Sequence, residues 1–287
     1  MRLGNLFAFG EPYRSPSFLS PFEDRDGLVG QHFFEEWAAE KGGHLIRAPS
    51  DAGIVESLDE LASEAFDPKL VHPLVRHVYE HTMATEFEAG EPDWTPLGFV
   101  WHFLYNRFVA RGMEQLNAPV DDDSLPGRIK SFISLLDVDR DGRFDYRIWV
   151  RIYEAAKRIF YVGATFTYRR TGPRGSQSYL VVVLPLWNAS FTVVFQPVNL
   201  PRGGLALRTR EVGSYEAGIY LVFPGRDRYS LLPGFGIHEE IRLEPSRQNG
   251  REIVRGLHLN WWLFLRSYTI PYVLWRSVPA DGEATRR

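Results

Sequence analysis

The chain has 287 residues, 44% of them hydrophobic and 14% aromatic, which suits a globular protein with a sizeable core in one large domain or two closely packed ones. It contains no cysteine, and that excludes disulfide frameworks, thiolate nucleophiles, zinc knuckles and iron–sulfur clusters. The formal net charge of −3 divides unevenly: residues 1–125 carry 9 Lys and Arg against 22 Asp and Glu, a net of −13, while residues 126–287 carry 24 against 14, a net of +10.

This split is what an acidic helical half packed on a basic sheet half would give. It also suits a basic half that meets an anionic ligand or membrane surface. The N-terminus has too short an apolar run for a signal peptide, and no stretch offers the roughly 18 uncharged apolar residues of a spanning helix. A soluble, cytoplasmic protein is the expectation.

Residues 1–25 are rich in Pro, Ser and Phe and read as irregular. Residues 28–41 predict a helix with Phe33, Phe34 and Trp37 on one side, closed by Gly42-Gly43. Ser50-Asp51 can cap a second helix over about 54–65, with Ile54, Leu58, Leu61 and Ala62 as its stripe. Pro73 fits the first turn of a third, running to about Phe87, because proline loses no intrahelical bond there. Thr95-Pro96 begins a fourth, residues 97–116, which carries Phe99, Trp101, Phe103, Tyr105 and Phe108 and ends near Asn117-Ala118-Pro119.

After Asp121-Asp122-Asp123 the apolar period changes to two. In 143–152, Phe144, Tyr146, Ile148, Val150 and Ile152 take one face, and Arg143, Asp145, Arg147, Trp149 and Arg151 the other, which predicts a half-exposed antiparallel strand. Residues 159–168 repeat the pattern. The stretch 179–196 holds two β-branched and aromatic runs around Pro185 and Asn188, a hairpin with both faces covered. Further strands are predicted at 129–137, 204–210, 218–223, 237–243, 251–259 and 261–275, punctuated by Gly- and Pro-containing turns.

The expected fold is therefore α+β, an N-terminal helical layer packed on a C-terminal antiparallel β-barrel or curved β-sandwich. Its divisions are an acidic helical region over 1–125, a basic β domain over 126–276 and a disordered tail over 277–287.

Three stretches carry candidate chemistry. His77 to His81, HVYEH, fits the inverted zinc-protease arrangement, with His77 and His81 one helical turn apart and Glu80 as base. The plain alternative is an amphipathic helix with Leu74, Val75 and Val78 inward. Asp137, Asp139 and Asp141, with Gly142 and Asp145, begin like a calcium loop, but Ile148 stands where the bidentate Glu belongs. A type I′ hairpin turn at Asp141-Gly142 explains the same residues without metal.

The third stretch, Val254 to Leu274, is the expected ligand wall. As one continuous strand it would place His258, Asn260, Trp262, Phe264, Arg266, Tyr268 and Tyr272 on one face, mixing broad aromatic surface with a few polar handles. Glu239, on an otherwise apolar strand face, would pair with an arginine such as Arg266 or sit at a cavity rim.

The leading expectation is a binding protein for a hydrophobic or amphipathic, lipid-like small molecule. Its pocket would lie between helix 97–116 and the last two strands, with Arg266, His258, Glu239, Trp262, Phe264, Tyr268 and Trp101 as ligand contacts. The alternatives are a zinc-dependent hydrolase using His77, Glu80 and His81, and a peripheral membrane or scaffold protein, with an anionic membrane surface as its partner. No cofactor is required by the leading expectation; zinc and calcium belong to the alternatives. No catalytic set is assignable, no phosphate-binding loop or nucleophile elbow is present, and nucleic acid is not an expected partner.

Overall fold

The computed structural model describes residues 12–13, 22, 30, 32–105, 128–154, 158–172, 175–186, 189–210, 216–223, 229–233, 237–262 and 264–277. Its helices are α1 (Phe33–Lys41), α2 (Pro73–Glu80) and α3 (Pro96–Tyr105). Its strands in the N-terminal half are β1 (Pro12–Tyr13), β2 (His44–Arg47), β3 (Thr85–Ala89) and β4 (Asp93–Trp94). There follow β5 (Arg128–Asp137), β6 (Tyr146–Tyr153), β7 (Arg158–Gly172), β8 (Gly175–Leu186), β9 (Ala189–Leu200) and β10 (Gly204–Arg208). The last are β11 (Gly218–Phe223), β12 (Tyr229–Pro233), β13 (Ile237–Gln248), β14 (Arg251–Trp262) and β15 (Leu265–Arg276).

Ten of these strands close into an antiparallel barrel in the order β8-β9-β10-β13-β14-β15-β3-β5-β6-β7 and back to β8. Closure removes the open edges a ten-stranded sheet would otherwise expose. Strand β9 serves two partners along one edge. Its residues 196–200 pair with β10 and its residues 190–194 with β11, which leads off the barrel to β12 and β1. Strands β2 and β4 add to the wall by pairing with β5 and β15.

Two apolar layers sandwich the barrel wall. Inside, Leu180, Phe195, Leu205, Leu243 and Val254 pack with the segment 54–79, whose Val55, Leu58, Leu61 and Val75 are fully buried and fill one end of the barrel. Outside, Phe33, Phe34 and Trp37 of α1, joined by Phe22, cover Leu136, Ile148, Val162, Val181 and Val183. Phe22 meets the rings of Phe34 and Trp37 edge-on at 4.8 and 5.0 Å. This double cover explains the unbroken run 179–184: Leu180 and Val182 face inward, while Tyr179, Val181 and Val183 lie under α1. Helix α1 ends at Gly42, whose φ of 79° is the left-handed conformation of a helix C-cap.

Several predicted elements change. The second predicted helix, 54–65, is a single 3-10 turn, Leu58–Leu61, held by a capping box between Ser57 and Glu60. Its apolar residues are buried on all sides, so packing rather than helical propensity sets its path. The third predicted helix stops at Glu80. The Thr82 hydroxyl donates to the Val78 and Tyr79 carbonyls and accepts the Ile54 N–H, closing the last turn. Residues 85–89 then become barrel strand β3. Within the fourth predicted helix, residues 106–116 lie outside the described residues, as does the tail from 278.

Within segment 143–152, residues 143–145 are exposed, whereas β6 from Tyr146 onward is half-buried or buried, with α1 over one face and the barrel interior on the other. The predicted type I′ turn is absent, since positive φ falls on Arg140 (62°) and Gly142 (86°) rather than on both Asp141 and Gly142. The strands expected at 251–259 and 261–275 are present as the hairpin β14–β15, so the single face that a continuous strand would have given 254–274 is not formed; the register also shifts between Asn260 and Trp261.

Filling the barrel end is central to this architecture. Truncating Leu58 to Ala should cost about 2–5 kcal/mol, the range for a buried leucine, read as a lower denaturant midpoint at unchanged slope. Replacing the exposed Phe144 by Ser should change stability by less than about 0.5 kcal/mol.

Candidate functional site

Between the end-filling segment and the barrel walls lies a cavity of about 150 Å³. Ile54, Val78, Tyr79 and Thr82 close one side, and Leu180, Phe195, Leu207 and Leu243 are among its apolar walls. Tight packing shapes it. Gly256 of β14 stands opposite Tyr272 of β15, and a Cβ at Gly256 would lie 2.0 Å from the Tyr272 ring. The glycine thus leaves room for that ring, which stacks on Phe87 at 4.9 Å.

The polar contents of the cavity wall are few and unusual. Tyr79, Trp149, Arg151 and His258 all line it. The Tyr79 hydroxyl, Trp149 Nε1, Arg151 Nε and His258 Nε2 are all buried without a hydrogen-bond partner. Strand β6 delivers two of the four. Because α1 covers its Ile148 side, the alternate residues Trp149 and Arg151 turn into the barrel. Arg147, two residues before Trp149, reaches the end-filling segment and donates to the Gly53 carbonyl at 3.2 Å and Glu56 at 3.3 Å.

Arg151 is only 9% exposed. Its guanidinium carbon lies 4.1 Å from the centroid of Phe87, 5.0 Å from Trp149, 5.6 Å from Phe160 and 5.8 Å from Tyr161. It also donates to the Tyr161 phenol oxygen. Aromatic faces attract a cation through their quadrupoles, and desolvation strengthens that attraction. Burial pushes the Tyr161 phenol well above its ordinary value, with Arg151 pulling weakly the other way, and burial raises Tyr272 and Tyr79 likewise. These phenols stay protonated and neutral at ordinary pH.

The residues singled out from sequence divide between the interior and the surface. His258 lines the cavity, its ring edge-on to Tyr268 at 5.4 Å and its Nε2 3.7 Å from Glu239. Glu239 accepts from Asn260 Nδ2 at 3.3 Å and does not pair with Arg266. Arg266 is half-exposed and donates to Asp93 at 3.0 Å. Phe264, 84% exposed, and Trp262 stand at the tip of the β14–β15 hairpin, outside the cavity. Trp101 belongs to α3, and its side chain lies outside what the structure describes. Trp149, Arg151 and Tyr79 were not legible as site residues. The one available signal was a tryptophan on the supposedly solvated face of an alternating strand.

The residues of the two metal-like motifs have partners within the chain. Glu80 accepts from the Leu58 N–H at 2.8 Å and from Arg76 at 2.9 Å, so its carboxylate anchors the end-filling segment. His77 and His81 stand ring to ring at 4.9 Å. Burial, then Arg276 and His81, hold His77 below the usual imidazole range. His81 Nδ1 is 3.2 Å from the Asp51 carbonyl. Asp137, Asp139 and Asp145 do bring carboxylate oxygens within 4.8 Å of one another, whereas Asp141 is not in that group. Asp137 accepts from the N–H groups of Arg140 and Gly142 at 2.7 and 3.0 Å, and Asp145 from that of Val138 at 2.8 Å. The loop is thus built on its own aspartates as side-chain turns.

No protein-family profile matches this chain, and no curated protein or solved structure matches it. Among the described residues no helix is long and apolar enough to cross a membrane.

The buried phenols give the fold an alkaline limit. Tyr146 is pushed up to about 12 by burial and by Asp145, and the interior tyrosines are raised as well. The folded-state values lie above the unfolded ones, so their contribution is complete below about pH 10 and falls as pH rises through the folded values. Denaturant midpoints should hold up to about pH 9 and fall steadily above 10. Tyrosinate absorbance at 295 nm from these residues should appear only with unfolding.

Proposed function

We propose that the barrel is a binding protein for a small hydrophobic or amphipathic molecule, held in its interior cavity. The observation that carries this is an apolar cavity inside the barrel whose wall holds buried polar atoms without hydrogen-bond partners. Protein interiors leave few voids larger than a water molecule, and specific pockets combine apolar walls with a few polar groups. The volume sets the scale of the ligand. About 150 Å³ is the size of the engineered apolar cavity known to take up benzene, so the fit is to one ring or a short chain rather than to a two-chain lipid.

Thermal-shift and calorimetric titration with benzene, indole and hexanol should give saturable binding, and Leu243→Phe, which fills the void, should abolish it. The absence of binding by all three up to their solubility limits would contradict the proposal.

A second reading rests on a different observation. Phe99, Val100 and Phe103 of α3 and Trp262, Phe264 and Leu265 at the hairpin tip are all exposed. The two groups adjoin, since the Thr95 hydroxyl donates to the Arg266 and Ser267 carbonyls. Such a surface suits docking on a membrane interface. Flotation with anionic vesicles at low salt, lost in Phe264→Ser/Trp262→Ser, is the expected result; no flotation would remove this reading.

A further inference from the structure

We infer that the cavity's ligand is a small carboxylic acid bound as its anion, with Arg151 as its counter-charge. This rests on the interior cavity being a binding site, and it adds what that site selects.

The inference begins with a comparison among arginines. Where the other inward or partly buried ones meet a charge, it is a carboxylate. Arg76 pairs with Asp59 and Glu80, both at 2.9 Å, and Arg147 with Glu56 at 3.3 Å. Arg208 and Arg242 share Glu240 at 3.2 and 2.5 Å. Arg151 is buried more deeply than any of these, yet among the described residues no carboxylate lies within ion-pair distance of it. Burying a charge without a counter-charge costs several kcal/mol, in the order-of-magnitude sense of a desolvated ion. The rings of Phe87, Trp149, Phe160 and Tyr161 offset part of that cost. They cannot neutralise the charge, because all are neutral, Tyr161 included.

The neighbouring orphans specify the missing group further. Arg151 Nε and Trp149 Nε1 can only donate, and the Tyr79 hydroxyl is a donor with no acceptor in reach. A set dominated by unpaired donors around one cation calls for an acceptor-only group with several lone pairs. A carboxylate offers two oxygens and about four acceptor sites, and it suits the planar fork of a guanidinium. A phosphate dianion would bring a second charge, and among the described residues of the cavity wall there is no second arginine or lysine to meet it. Walls such as Leu180, Phe195 and Leu243 then leave the rest of the ligand apolar, and the volume limits that rest to about a ring or a short chain.

The test compares acids with their neutral isosteres: benzoate against benzamide, and hexanoate against hexanamide, by calorimetry on the full chain at neutral pH. The acids should bind wild type at least about tenfold more tightly than the amides, which is about 1.4 kcal/mol. Lowering the pH until the acids themselves protonate should erase the difference. Arg151→Met should lose the preference for acids while still binding the amides, and Arg151→Lys should keep part of it, because the charge remains without the fork.

Amides binding wild type as tightly as the acids, with Leu243→Phe blocking both, would overturn the inference while leaving the cavity as a binding site. Failure of acids, amides and benzene alike would instead overturn the binding proposal beneath it. If Arg151→Met does not fold, the acid-to-amide ratio in wild type still decides the matter.

Discussion

The structure depends on how a ten-stranded barrel fills its own interior. A barrel of about eight strands is just filled by its side chains, and wider ones leave space that other chain must occupy or a ligand must take. Here the segment from Ile54 to Tyr79 enters one end and buries Leu58, Leu61 and Val75 completely. Glu80 and Arg147 tie that segment to itself and to the wall. The filling is incomplete, and what it leaves is the cavity around Arg151. On the proposed reading, a ligand would occupy the volume the fold does not fill.

The same constraint explains the inverted faces of β6. An alternating strand in a single sheet turns its polar side to water. In this barrel α1 brings a second apolar layer to the outer side, so Ile148 faces outward and is still buried. The nominally polar side, with Arg147, Trp149 and Arg151, then has to face inward. Arg147 is met by Glu56 across the acidic and basic halves of the chain, and Arg266 is met by Asp93 in the same way. Such contacts give the charge asymmetry a structural use, although exposed pairs of this kind contribute little stability individually. Arg151 is left with rings.

Much of the fold was legible because the signals were local. Residues 218–223 read as a strand from β-branched content alone and are one, and 129–137 differs from β5 by one residue. The barrel class followed from many short period-two segments without intervening helices. What was not legible depended on tertiary context. Thr85 to Phe87 read as the end of a helix and instead begin strand β3, which bridges β15 and β5 in the barrel. Phe264 stands between β14 and β15 where Gly, Pro or Asn would mark a turn, so the break expected at residue 260 falls instead after Trp262. Among the residues singled out from sequence, His258, chosen for its aromatic neighbours, lies on the cavity wall. Arg151 was missed because alternation alone assigns an arginine to water, and only the position of α1 reverses that assignment.

The most direct measurement is a crystal structure of the protein soaked with 4-bromobenzoate, using the anomalous signal of bromine to locate the ring. The account predicts one strong bromine site inside the barrel, with the carboxylate on the guanidinium of Arg151 and within reach of Trp149 Nε1 and the Tyr79 hydroxyl. An interior closed by repacked side chains, with bromine found only on the outer surface, would contradict it.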